Sequence, residues 1–142
     1  ISMKNSNECG YALIMSTEII GLSHLEREII ANVVRYNIRD SDYDMMQLET
    51  EAGQDLAGVS DRTAITILIA KLTAILRLAN SMDKTHKAKL IDSRMAVRDG
   101  RLVITTGYQG DLALESASFE QKAAFFEEIF GIRPVLKQKR RV

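Results

Sequence analysis

Apolar residues recur at helical spacing through the first eighty positions, and the period shortens to that of strands after residue 89. Residues 8–15 have helical composition, with Cys9, Ala12 and Leu13 on one side. Ser23 followed by Glu26 forms a capping box, in which serine accepts from the glutamate amide and the glutamate reaches back. Behind it Leu25, Ile29, Ile30, Val33, Val34 and Tyr36 repeat at helical intervals, which predicts an amphipathic helix over residues 23–37. Residues 40–58 are acidic and punctuated by Gly53 and Gly58, and read as a loop holding one short helix near 43–52. Ser60 or Asp61 then caps a long helix reaching Met82. Its stripe is Ile65, Leu68, Ile69, Leu72, Ile75, Leu76 and Ala79, while Ala64, Ile67, Ala70, Ala74 and Leu78 fill much of the remainder. A helix apolar on most sides is the buried centre of a bundle. Its surroundings are expected from upstream helices or from a second copy of the chain.

Beyond Lys89, residues 90–97, 102–106 and 112–116 form short runs rich in branched side chains. Asp99-Gly100 between the first two is a hairpin signal. Ser118 is predicted to cap a helix through Phe130, with Phe119, Ala123, Phe126 and Phe130 as its stripe. Gly131 ends that helix, and residues 132–136 read as a returning strand at a sheet edge, where the single proline is tolerated. The predicted fold class is therefore α+β: a mostly helical bundle over residues 1–88, then a small β-β-β-α-β module over residues 89–142.

At 142 residues, 46% hydrophobic and 27% charged, the chain has the composition of one globular domain, or one with a small appendage. The single cysteine excludes an internal disulfide framework and fits a reducing cytoplasm. The longest apolar stretch, residues 64–79, is interrupted by Lys71 and Arg77 and falls short of the roughly 20 residues a bilayer requires, so no membrane insertion is expected. Net charge is zero but segregated. Residues 40–61 carry seven acids and no Lys or Arg, whereas residues 62–101 carry nine Lys or Arg against Asp83, Asp92 and Asp99. Such a distribution points to a polyanion-facing surface, or to two solvated faces that partly neutralise each other.

His24, His86 and Cys9 are too widely spaced for a zinc site, and no Walker loop, dinucleotide fingerprint or nucleophile elbow is present. Arg77, Lys84, His86, Lys87 and Lys89 cluster around the end of the long helix. They suit phosphate, or they complement the dipole of their own helix. The tail from Lys137 to Arg141 is basic, yet few aromatics are available for base stacking, so nucleic acid is not the expected partner.

Three segments in order carry a resemblance. They are Gly21-Leu22-Ser23 with Glu26-Arg27-Glu28-Ile29-Ile30-Ala31 and Val34-Arg35-Tyr36; then Leu76-Arg77-Leu78-Ala79-Asn80-Ser81-Met82-Asp83; then Phe125-Phe126-Glu127-Glu128-Ile129-Phe130-Gly131. Together they resemble the C-terminal part of the exopolyphosphatase and guanosine pentaphosphate phosphohydrolase family, over nearly the whole chain. The resemblance implies an HD-like helical domain that supports a homodimer and lines a channel for polyphosphate. It also implies catalysis by N-terminal actin-like domains working with magnesium, domains that this sequence does not contain; the opening Ile1-Ser2-Met3 is read accordingly as the start of a piece of a longer protein. Two departures matter. Asn5 to Gly10 replaces a histidine-rich stretch before Tyr11-Ala12-Leu13-Ile14, and Asn80 stands where a metal-binding aspartate belongs. A carboxamide offers one neutral oxygen to a hard cation, so the site weakens. The expectation is a cytoplasmic, non-catalytic module without a cofactor of its own, with Arg35, Arg77, Lys84 and His86 as phosphate contacts or as salt-bridge partners. The alternatives are a regulatory HD-like module reading guanosine tetraphosphate or a protein partner, and a live HD hydrolase, against which Asn80 argues.

Overall fold

The capping box at Ser23 opens a helix, as expected. The Ser23 amide donates to Glu26 Oε2 (3.3 Å) and the Glu26 amide donates to Ser23 Oγ (3.1 Å). The structure, a computed structural model, describes residues 3–37 and 60–139. The acidic segment with its expected short helix lies outside the described residues, as do Arg140 and Arg141. The chain divides into two compact units, Ile1–Thr73 and Ala74–Val142, and the dividing line falls inside a helix.

In the first unit α1 (Met3–Ser16) packs on α2 (His24–Asn37). Contact is close at Gly10, where a Cβ would stand 2.9 Å from Val34 Cγ1. Cys9, Ala12 and Leu13 of α1 are exposed, and Tyr11, Ile14 and Met15 are half-buried. Arg35 of α2 lies over the Tyr11 ring at 3.6 Å, and Arg27 donates to the Thr17 carbonyl (2.8 Å), so two arginines tie the helices together. On α2, Val33 and Tyr36 are buried as expected, joined by Glu28, Ala31 and Asn32, whereas Ile30 is exposed. Asn32 Nδ2 donates to the Glu28 carbonyl (3.0 Å), which satisfies the donor half of an amide in that interior position.

The long helix α3 (Arg62–Met82) has the expected extent but turns a different face inward. Thr66, Ile69, Ala70, Thr73, Ala74, Arg77, Leu78 and Ser81 are buried, at alternating intervals of three and one. Of the predicted stripe only Ile69 is buried; Leu68, Leu72, Ile75, Leu76 and Ala79 are exposed. Small side chains allow a neighbouring backbone to approach closely, and interaxial distance follows side-chain size. Thr66 and Ser81 return their hydroxyl protons to the carbonyls of Arg62 and Leu78, so these two polar members of the stripe need no outside partner. At 21 residues α3 is longer than the apolar stretch 64–79 within it, and by length and composition alone it could cross a membrane. Buried core helices pass the same test.

The second unit contains β1 (Arg94–Arg98), β2 (Arg101–Thr106), α4 (Ala113–Phe130) and β3 (Arg133–Gln138). The class is α+β, a helical part followed by a small sheet module. Strand order is β1-β2-β3, with β1 antiparallel and β3 parallel to β2. Asp99 (φ +51°) and Gly100 (φ +72°) form the two-residue turn, the paired positive φ values matching the twist of a hairpin. Gly131 (φ +73°) ends α4 and its amide donates to the Glu127 carbonyl. Pro134 sits on edge strand β3, as expected. The predicted third strand is corrected: of residues 112–116, all but Leu112 belong to the first turn of α4. Leu112, Glu115, Ser118 and Phe119 are buried at helical spacing, and two polar members of that stripe hide the period from a hydrophobicity pattern. Ser118, expected to cap the helix, lies inside it; the N-cap position is Leu112, which gives no side-chain cap, and Asp111 Oδ1 accepts from the Ala113 amide (2.9 Å). The core of this unit comprises Leu90, Ile104, Leu112, Phe119, Phe125 and Phe126.

Candidate polyanion-binding surface

The cationic segment after α3 is a tight loop. Asp83 organises it: its carbonyl accepts from the His86 amide (3.0 Å) and its Oδ1 from the Ala88 amide (3.0 Å). His86 (φ +56°) and Ala88 (φ +51°) both adopt the left-handed conformation that non-glycine residues rarely take. This reversal sorts the side chains. Lys84, His86 and Lys87 point to solvent, whereas Thr85 and Lys89 turn toward α4.

The inward pair meets Glu115, which is only 1% exposed. Thr85 Oγ1 donates to Glu115 Oε1 (2.6 Å), and Lys89 Nζ lies 3.2 Å from the same oxygen. Lys89 also donates to the Asp111 carbonyl (2.8 Å) and stands 5.8 Å from the centre of the Tyr108 ring. The Thr85 hydrogen bond, helped by the Glu115 amide and by Lys89, holds the carboxyl below its ordinary range against the opposing effect of burial. Gly110 belongs to this clamp, since a Cβ there would stand 2.7 Å from the Tyr108 ring. The result is a base that fixes the loop and leaves three basic residues on its outer side.

The four residues singled out from sequence separate. Lys84 and His86 share the loop, with His86 Nδ1 3.9 Å from Asp83 Oδ2. Arg35 belongs to the first unit and stacks on Tyr11. Arg77 is 3% exposed, with its guanidinium 5.8 Å from the Phe125 ring centre, which makes it an interior residue. His24 is a solvated first-turn residue, hydrogen-bonded to Arg27 (3.0 Å). Among the described residues no group of three His, Cys, Asp or Glu side chains could hold a metal ion. Asn80 is exposed, and its carboxamide offers a cation one neutral oxygen where a carboxylate would bring charge.

Two features escaped the sequence. One is the Thr85–Lys89–Glu115 clamp, whose members lie up to thirty residues apart. The other is a set of cations on the sheet, Arg94, Arg98, Arg101 and Lys137, visible only once strand register is known. Beside the loop an open groove of about 300 Å³ is lined by Ala79, Met82, Asp83, Leu90, Ile91 and Met95. No family model matches the chain, and no characterised protein matches its sequence.

Proposed function

We propose that this chain is the non-catalytic C-terminal module of an exopolyphosphatase-like enzyme, acting in the cytoplasm to support dimerisation and to hold polyphosphate. Actin-like domains outside this sequence would remove terminal phosphates with magnesium. The observation that carries the reading is the outward loop of Lys84, His86 and Lys87, set on a buried ionic base so that its shape survives the approach of a polyanion. Arg35 and Arg77 then serve the packing of their own units. Dimerisation finds support along α3, where Ile67, Leu68, Leu72, Ile75 and Leu76 form an exposed apolar stripe. Binding of long-chain polyphosphate, measured over a range of salt, should weaken steeply with ionic strength, because neutralising successive charges releases counterions. A chain that sediments as a monomer and binds no polyphosphate at low salt would refute the proposal.

A second reading, a regulatory module for guanosine tetraphosphate, draws on the groove, whose wall shares Asp83 and Ala88 with the cationic loop. Its volume matches the lower end of small-molecule sites. Calorimetry separates the two: stoichiometric nucleotide binding without affinity for polyphosphate would favour the regulatory module.

A further inference from the structure

Alternation along the three strands gives the sheet two faces. Ile104 and Pro134 are buried on the face against which α4 packs. The opposite face carries three cross-strand rows in register. Arg98, Arg101 and Arg133 form the first row, Ala96, Val103 and Val135 the second, and Arg94, Thr105 and Lys137 the third. No acidic residue lies in any row. Neighbouring strands stand about 4.8 Å apart, and the outer rows are separated by four residues, about 13 Å. Arg98 and Arg101 are direct cross-strand partners, an arrangement that repels unless a counter-charge is near.

Arg133 has such counter-charges, because the edge position of β3 lets it reach Glu127 (3.0 Å) and Glu120 (3.4 Å) on α4. The others do not. Arg94, Arg98, Arg101 and Lys137 are exposed and make no ion pair among the described residues; of the carboxylates nearest along the chain, Asp99 sits at the apex of the hairpin and Asp92 precedes β1 by two residues.

We propose that this open sheet face is a binding track for a linear, base-free phosphate polymer, gripped by Arg98 and Arg101 at one end and by Arg94 and Lys137 at the other. The proposal rests on the polyphosphate reading above but assigns the grip to residues outside the Lys84 loop. Guanidinium forks bind phosphate oxygens two at a time, and a phosphate between Arg98 and Arg101 would turn their repulsion into shared attraction. The middle row argues against nucleic acid. Ala96, Val103 and Val135 offer no aromatic ring on which a base could stack, and no amide that could read one.

The test compares the full chain with an R98Q/R101Q variant and a K84Q/H86Q variant, titrated with long-chain inorganic polyphosphate at several salt concentrations. All the sheet substitutions lie at exposed positions, and an unchanged melting temperature certifies the fold. The R98Q/R101Q variant is expected to lose affinity at least tenfold, with the slope of log affinity on log salt falling by about 1.4 to 1.8, as two lost phosphate contacts require. If the parent chain binds polyphosphate and R98Q/R101Q binds equally well, the sheet proposal fails while the functional reading stands, carried by the loop if K84Q/H86Q weakens. If the parent chain does not bind polyphosphate at low salt, both fail. Tighter binding of single-stranded DNA of similar length would overturn the base-free assignment.

Discussion

Ala88 holds a left-handed conformation (φ +51°) because its amide is committed to Asp83 Oδ1 and the chain must reverse there. An L-residue in that region costs about 1–2 kcal/mol, of which glycine would return part against its own greater chain entropy. Ala88→Gly is therefore expected to raise stability by about 0.5–1 kcal/mol, read as a higher midpoint in urea. An unchanged or lower midpoint would show that the conformation is not strained. Other single residues show what a one-dimensional reading can and cannot reach. Asn80 and the lone Cys9 were legible as chemistry, and both are exposed. Arg77 was legible only as a cation; that it is buried beside Phe125 depends on a helix nearly fifty residues away.

At the scale of elements, sequence reading succeeded where local hydrogen bonding decides the outcome. The Ser23 box, the Asp99-Gly100 turn and the Gly131 stop all act within four residues, and each is present. Ser23→Ala should cost about 1 kcal/mol in thermal or chemical denaturation, the usual worth of such a cap. A variant indistinguishable from the parent would mean that α2 is held by packing alone. Reading failed where burial selects among faces. On α3 the bulky aliphatic stripe and the small-residue stripe are both compatible with a helix, and only three-dimensional packing chose the second. On α4 the opening turn reads as a strand in the sequence because the buried stripe it begins includes Glu115 and Ser118, which a hydrophobicity pattern scores as solvent-facing.

At the scale of the whole molecule, two properties follow from groups brought together over distance. Glu115 has its carboxyl held below the 4.5 of a free glutamate, chiefly by Thr85. A depressed folded-state value means that the clamp contributes fully above that pH and is lost as acid titrates the group through its lowered value. The stability advantage of the parent chain over Glu115→Gln should thus be constant above pH 4.5 and shrink below it; an advantage that grew on acidification would contradict the clamp. The exposed stripe of α3 makes a separate claim. If it joins two copies, Leu72→Glu with Ile75→Glu should convert a dimer to monomers in sedimentation while leaving each unit folded, because both side chains already face solvent. A dimer that persists would place the interface elsewhere.

By itself the sequence determined the α+β class, the extents of α2 and α3 to within a residue or two, the hairpin and the edge placement of β3, because caps, turns and helical period are written in near neighbours. It also marked the cationic segment after α3. Tertiary structure alone decided which face of each helix is buried, which of those cations reach solvent, and how Arg98 comes to stand beside Arg101. Those outcomes depend on contacts between residues distant in the chain, where small differences in packing and charge select one arrangement from several that local spacing permits equally.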